Sequence, residues 1–252
     1  MATAAVLVAA LLAALFLLPP LALVALVAAV AALAGQEWGR LCRLGRGRSI
    51  LYGLLTAAFY GALLAVARDE LFLVAGGFWA LVVPAWLWRG VKATQRAALL
   101  VAGIAVVVPT ALAVVTLPPR LLLAILILIW IADIAAYFAG HAFGRHKLAP
   151  AISPGKTWEG AAAGLVGALA WAIICGTMSG GISWGPYLAA AALIGAISIV
   201  GDLFESAAKR QAGVKDSGTL LPGHGGILDR IDSMTAALPV AALLLPVVRG
   251  GA

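Results

Sequence analysis

Residues 121–143 read LLLAILILIWIADIAAYFAGHAF and decide the class of this protein, because the stretch holds one carboxylate and no Lys or Arg. About 20 apolar residues suffice for a helix to cross a bilayer. The whole chain agrees, since 64% of its 252 residues are hydrophobic, 11% are charged and the mean hydropathy is +1.09. These values exclude a soluble globular domain, a disordered chain and a disulfide scaffold. The Ala, Leu and Val runs indicate helices rather than membrane strands, so we expect an all-α polytopic membrane protein.

Similar apolar runs along the chain predict about nine transmembrane helices. Their expected bounds are 2–18, 21–35, 50–67, 71–88, 97–117, 121–143, 160–178, 186–207 and 233–248. The first two runs are joined by Leu18-Pro19-Pro20 and could instead form one kinked helix, which would make the count eight. We expect residues 1–120 to be scaffold and 121–252 to carry the functional site, in one continuous membrane domain.

The positions of the basic residues predict the orientation in the membrane. With nine spans, 14 of the 17 Lys and Arg residues fall on one side, and only Arg68, Arg120 and Arg249 fall on the other. Short loops rich in Lys and Arg stay in the cytoplasm. The N-terminus and the loops at 89–96, 144–158 and 208–232 are therefore expected to face the cytoplasm. The net charge of +7 then reflects topology, and no nucleic-acid partner is expected.

A stripe of polar residues marks the end of the eighth run. Asp202, Glu205, Ser206, Lys209 and Arg210 are spaced so that a helix would carry them on one face. Ionisable groups at membrane depth are costly and by default mark function. The spacing leaves one alternative open, which is a snorkelling helix end with local ion pairs.

A glycine-rich loop follows this stripe. It contains Lys215-Asp216-Ser217-Gly218, then Pro222-Gly223-His224-Gly225-Gly226, then Asp229-Arg230-Ile231-Asp232. Glycine amides and basic side chains can bind phosphate, and carboxylates from different elements can hold Mg²⁺ against phosphates. A plain loop is the alternative. His224 could contact phosphate or order the loop, and no ligand spacing joins it to another histidine, so zinc is not expected.

A second polar group surrounds the sixth connection. Asp133, Tyr137 and His141 share one helix face, and the stretch SPGKTWEG follows at 153–160. We expect the Ser-Pro-Gly segment to be a turn, with Thr157 capping the next helix and Glu159 in its first turn. Lys156 could bind phosphate, or it could simply obey the positive-inside rule and attract anionic lipids.

These motifs resemble the phosphatidate cytidylyltransferase family, also called CDP-diacylglycerol synthases. The family signature runs Ser, two residues, Lys-Arg, four residues, Lys-Asp, then Pro-x-His-Gly-Gly, one or two apolar residues, Asp-Arg and an acidic end. Residues 206–232 read SAAKRQAGVKDSGTLLPGHGGILDRID, and the stretches at 153–160 and 130–133 are also similar to the family. Residues 1–120 match in hydropathy more than in motif.

The resemblance implies the reaction of CTP with phosphatidic acid to give CDP-diacylglycerol and diphosphate. It implies dependence on Mg²⁺, with a second cation left open, and a homodimer in the inner membrane with its site at the cytoplasmic face. It places the metal on Asp202 and Asp229, with Asp133 and Asp232 as further candidates. The residues assigned to catalysis or substrate binding are Lys209, Arg210, Ser153, Lys156, Ser206, Lys215, Asp216, His224, Gly225, Gly226 and Arg230.

The remaining expected partners are membrane lipids. The alternative function is a polytopic transporter with an acidic ion site, which would show internal repeats and acids near the bilayer midplane. Seven of the ten acids lie instead in the second half of the chain, near one expected rim of the membrane.

Overall fold

The protein is helical apart from one small hairpin, in a computed structural model that describes residues 2–66, 68–180, 182–220, 223 and 225–249. The helices are α1 (Ala2–Leu17), α2 (Pro20–Leu41), α3 (Arg46–Leu63), α4 (Arg68–Gly77), α5 (Val83–Arg89), α6 (Arg96–Thr116), α7 (Pro119–Phe143), α8 (Trp158–Met178), α9 (Trp184–Ala212) and α10 (Leu228–Arg249). The strands β1 (Lys147–Ala149) and β2 (Ser153–Thr157) pair antiparallel. The expected helical class is confirmed.

Six of the helical segments are long and apolar enough to cross a bilayer. Within the described ranges they are Pro20–Leu41, Asp69–Arg89, Ala93–Thr116, Pro119–Phe143, Trp158–Met178 and Trp184–Ala212. The second of these is continuous because a π-helical turn at Phe78–Val82 joins α4 to α5. The structure thus supports a polytopic helical membrane protein with six candidate spans, and the count of about nine stays a prediction.

The first two helices are separate, with Leu18 and Pro19 outside both. Pro20 is the first residue of α2, a position where a missing amide hydrogen costs nothing and the fixed φ favours a helix. The alternative of one kinked helix is therefore not the observed arrangement.

The polar stripe lies wholly on α9, which continues past the expected end at 207 to Ala212. The helix stops at Gly213, whose φ of 80° lies in the left-handed region that glycine adopts without strain. Glu205, Ser206 and Lys209 are buried among neighbouring helices, whereas Arg210 is exposed. Most of the stripe therefore faces protein, not water.

The segment Ser153–Thr157 is a strand, so the predicted turn at Ser-Pro-Gly is wrong. The turn lies just before it, where the Ile152 amide donates to the Ala149 carbonyl at 3.1 Å. Proline is tolerated here because a two-stranded sheet consists of edge strands only. The predicted cap is confirmed, since the Thr157 hydroxyl accepts the Gly160 amide at 3.1 Å and Glu159 lies in the first turn of α8.

Small residues bring α7 and α8 close together. A Cβ atom at Gly160 would lie 2.7 Å from the Ala136 carbonyl oxygen, and one at Gly164 would lie 2.9 Å from that of Ala132. Glycines on one face allow this backbone approach in membrane helices. The contact fixes the C-terminal half of α7 against the start of α8.

An aromatic cluster holds α9 against the N-terminal half of the chain. Phe204 is fully buried, and the rings of Trp38, Phe78, Trp79 and Trp86 lie 5.4 to 6.1 Å from it between centroids. The Trp38 indole also donates to the Leu99 carbonyl at 2.7 Å. The polar stripe is thus anchored by α2, α5 and the π-helical turn.

Candidate functional site

One polar cavity of about 680 Å³ lies where α7 ends and α8 and α10 begin. The predicted face of α7 lines it through Asp133, Tyr137 and His141. The other elements contribute Lys147, Ser153, Lys156, Asp202, Asp232 and Ser233. Five of the predicted site residues, Asp133, Ser153, Lys156, Asp202 and Asp232, are therefore brought together here.

Three carboxylates face this cavity. Asp202 lies 2.5 Å from the Lys156 ammonium through Oδ2 and accepts the Ser206 hydroxyl at 3.2 Å through Oδ1. Asp133 accepts the Ser233 hydroxyl at 3.4 Å, and the Ser233 amide donates to Asp232 at 2.8 Å. Ser206, predicted to bind substrate, thus orients Asp202.

The donor atoms of the cavity fit Mg²⁺ held jointly with substrate phosphates. Among the described residues, no three His, Cys, Asp or Glu side chains converge closely enough to hold a metal ion by themselves. Mg²⁺ prefers oxygen ligands and is commonly bound by one or two carboxylates plus phosphates. Asp202 with Asp133 or Asp232 provides such a set.

Asp229 belongs to a neighbouring network that centres on Lys209. The Lys209 ammonium lies 2.7 Å from Asp229 Oδ1 and 3.2 Å from Glu205 Oε1. Asp229 Oδ2 accepts the amides of Ser217 at 2.9 Å and Gly226 at 2.8 Å. The metal role of Asp229 stays a prediction, and it requires this carboxylate to exchange some of these partners for the cation.

The predicted phosphate-binding cations occupy different surroundings. Lys209 is only 8% exposed between two carboxylates. Arg210 donates through Nε to the Ile152 carbonyl at 3.2 Å and through Nη1 to the Val214 carbonyl at 3.1 Å, which ties the hairpin to α9. Lys215 is exposed on the loop. Of the Lys and Arg residues predicted to bind phosphate, Lys156 lines the cavity.

Two other predicted residues, Asp216 and Arg230, are exposed near the same loop. His224 lies outside the described residues, so its predicted phosphate contact stays a prediction.

Three consecutive amides at the end of the glycine loop donate to protein carboxylates. Gly226 donates to Asp229, and the amides of Ile227 and Leu228 donate to Glu37 at 3.0 and 2.9 Å. Gly225 has a φ of 80°, and a Cβ atom there would lie 2.6 Å from Asp229 Oδ2. A phosphate role for Gly225 and Gly226 therefore stays a prediction, because it needs the Gly226 amide to change partner.

Sequence reasoning missed Glu37 and Ser217. Glu37 lies on α2, in the half of the chain expected to be scaffold, and is 5% exposed. The Ser217 hydroxyl lies 3.0 Å from both Glu37 Oε2 and Asp229 Oδ2, and its single hydrogen can be donated to one of them at a time. The available signal was an acidic residue in an apolar helix.

Comparison with known proteins shows the family of the chain. A sequence profile of the cytidylyltransferase family matches residues 1–248. The chain belongs to the cytidylyltransferase family. The activity that the sequence motifs suggested, nucleotidyl transfer, is that of the family.

Curated relatives carry a more specific name. The phosphatidate cytidylyltransferase of Pseudomonas aeruginosa is 54% identical over 127 residues, which cover 50% of this chain and 47% of the relative. That of Haemophilus influenzae is 52% identical over 124 residues, covering 47% and 43%. The Thermotoga maritima enzyme is 39% identical over 127 residues, covering 48% and 47%. The chain thus matches about half the length of these relatives.

Proposed function

We propose that this protein is a phosphatidate cytidylyltransferase, which converts CTP and phosphatidic acid into CDP-diacylglycerol and diphosphate. An oxygen of the lipid phosphate attacks the α-phosphorus of CTP. The bond from that phosphorus to the bridging oxygen of the β-phosphate breaks, and diphosphate leaves with the electron pair. The observation that carries this proposal is the cavity that gathers carboxylates and a lysine from α7, β2, α9 and α10.

Chemically, the substrates set two requirements that the cavity can meet. A phosphate monoester has a second pKa of about 6, so the phosphate of phosphatidic acid is largely ionised near neutrality and needs no strong base. Two polyanions must instead be brought together, and the charge on the leaving diphosphate must be stabilised. Lys156 is placed to offset phosphate charge, while Asp202 holds the Lys156 ammonium in the cavity.

Charge balance in the cavity supports a divalent cation. Asp133, Asp202 and Asp232 face two lysines, Lys147 and Lys156. A triphosphate and a lipid phosphate would add further negative charge to this set. Bound at Asp202, Mg²⁺ would withdraw charge from phosphate oxygens. We therefore retain Mg²⁺ as the proposed cofactor, with Asp133, Asp232 and Asp229 as further candidate ligands.

The direct test is transfer of label from CTP to lipid. Purified protein in detergent is incubated with CTP labelled at the α-phosphate, phosphatidic acid and Mg²⁺, and the organic phase is counted. The proposal expects label in a lipid that co-migrates with CDP-diacylglycerol, and diphosphate in equal amount. Label that stays in the aqueous phase, in protein shown to be folded by a cooperative thermal transition, would contradict it.

Lys156→Gln is expected to raise the KM for CTP about tenfold or more, because a neutral amide cannot offset phosphate charge. The KM for phosphatidic acid should change less. Steady-state kinetics with each substrate varied in turn measures both effects. Arg48→Gln is the matched control, since Arg48 is an exposed cation on α3 and does not line the cavity. Equal losses for both substrates would point instead to a shared role in the transition state.

The topology expected from charge is part of this proposal, with nine crossings, the inner membrane as location and the cavity on the cytoplasmic side. Cys42 can be left in place for a thiol-labelling experiment, because it is 3% exposed and burial raises the pKa of its thiol to about 12. Both features disfavour reaction with the reagent. Cys175 is replaced by Ala. Single cysteines are then introduced at exposed positions on opposite sides, Ala151→Cys in the hairpin turn and Gly180→Cys after α8.

An impermeant thiol reagent on intact cells should label the cysteine at 180 but reach the one at 151 only after permeabilisation. The reverse pattern would overturn the orientation and the cytoplasmic placement of the site. The expected homodimer also stays a prediction, which cross-linking in the membrane can test.

A further inference from the structure

We propose that Glu37, on α2, is the positioning residue that holds the glycine loop and Asp229 in place; its role in turnover rests on the proposed function. Glu37 Oε1 accepts the Ile227 amide at 3.0 Å. Glu37 Oε2 accepts the Leu228 amide at 2.9 Å and lies 3.0 Å from the Ser217 hydroxyl, which can donate to it or to Asp229. One carboxylate thus binds both ends of the segment 217–228.

The position of Glu37 is itself fixed on several sides. The neighbouring Trp38 is 1% exposed, and its indole N–H donates a hydrogen bond to the Leu99 carbonyl of α6. Just after α2, the Arg43 guanidinium donates to the backbone carbonyl of Gln211 on α9 at 3.0 Å. The side-chain amide of Gln211 in turn donates to the Leu41 carbonyl at 2.8 Å. The end of α2 is therefore tied to α6 and α9, so Glu37 presents its carboxylate from a constrained element.

Two glycines of the loop are explained by this carboxylate. Gly218 and Gly226 are not among the described residues with positive φ, so backbone conformation does not demand glycine at either position. A Cβ atom at Gly218 would lie 2.6 Å from Glu37 Oε1, and one at Gly226 would collide with the Ser217 hydroxyl and with both oxygens of Glu37. Space for Glu37 is thus one reason for glycine in this motif.

The charge of Glu37 matches the helix end that it contacts. Leu228 is the first residue of α10, and free amides at a helix N-terminus favour a negative group. Asp229 lies in the same turn and accepts the amides of Ser217 and Gly226. Fixing this turn therefore fixes the orientation of Asp229 relative to Lys209. Glu37 acts on the site through the loop and Asp229, without needing to contact substrate.

The first test is Glu37→Gln, with Glu70→Gln on the exposed face of α4 as control. An amide side chain offers one acceptor oxygen instead of two and brings a donor against the loop amides. Hydrogen exchange of peptides covering 213–231 should speed up about ten- to hundredfold, as expected for losing a hydrogen bond to a charged group. Peptides from α7 and α8 should change little. The kcat should fall at least about tenfold.

A second pair of variants distinguishes loss of the contact between Glu37 and the loop from general misfolding. Gly218→Ala should release the loop because its Cβ atom collides with the Glu37 carboxylate. Glu37→Asp withdraws that carboxylate by about 1.5 Å, the length of one carbon–carbon bond. The double variant Gly218→Ala/Glu37→Asp should therefore exchange more slowly in the loop than Gly218→Ala alone.

Additive effects in the double variant, or unchanged loop exchange in Glu37→Gln, would overturn the proposal. Exchange is measured without substrate, so it decides the role of Glu37 even if the wild-type protein transfers no label to lipid. That latter result would contradict the proposed function alone.

Discussion

Asp202→Asn is expected to lower CDP-diacylglycerol formation by about a hundredfold or more. A neutral amide is a poor ligand for Mg²⁺, and it also loses the ion pair with Lys156 at 2.5 Å. Chelation should abolish turnover in the wild-type protein, and added Mg²⁺ should restore it. Asp202→Asn should need a higher Mg²⁺ concentration for whatever activity remains. Label transfer across a Mg²⁺ titration measures both quantities.

Asp69→Asn provides the matched control, because Asp69 is exposed at the start of α4, away from the cavity. The competing explanation is that Asp202 only holds Lys156 and the hairpin in place. On that explanation the variant would lose thermal stability but keep most of its activity per folded molecule, with an unchanged Mg²⁺ requirement. That pattern in monodisperse protein would refute the metal role.

Lys209→Met is expected to destabilise the protein by about 3–5 kcal/mol, the range for breaking a buried ion pair by removing one partner. The side chains of Glu205 and Asp229 are 4% and 7% exposed, and both would be left without the ammonium between them. The midpoint of thermal unfolding in detergent should fall by several degrees. Activity should fall as well, because Asp229 loses its partner at 2.7 Å.

A matched control and a partial rescue test this explanation. Lys215→Met removes an exposed lysine of the same loop region and should leave the unfolding midpoint nearly unchanged. In the double variant Glu205→Gln/Lys209→Met, one of the two carboxyl groups that lose their lysine partner is also removed. This variant should therefore recover part of the stability that Lys209→Met loses. A variant Lys209→Met that unfolds like wild type but shows a higher KM for CTP would favour the phosphate contact that the motif resemblance suggested.

Local sequence patterns predicted the structural features that are decided by residues close together in the chain. The apolar runs located the helices, with individual ends displaced by up to six residues, because a membrane helix satisfies its own backbone hydrogen bonds. The spacing of Asp133, Tyr137 and His141 predicted one face, and these residues do line one cavity. Thr157 capped α8 as expected, since capping is decided within three residues.

Contacts between distant segments were not predictable in the same way. The expected second span stopped at 35, so Glu37 was placed outside the membrane helix although α2 continues to Leu41. Its partners Ile227 and Leu228 lie 190 and 191 residues further along the chain. The composition of the glycine loop indicated that its amides bind an anion, but it could not distinguish phosphate from the carboxylates of Glu37 and Asp229.

The long separation between Glu37 and its partners has a consequence for biosynthesis. At about 5–20 residues per second, a ribosome takes roughly 10–40 s to proceed from Glu37 to the segment that binds it. During that interval α2 is already made, and its carboxylate has neither the Leu228 amide nor the Ser217 hydroxyl to accept from. The order of synthesis therefore makes completion of this network one of the last steps of assembly. A chain that terminates before Ser217 would leave the Glu37 carboxylate without its Ser217, Ile227 and Leu228 donors.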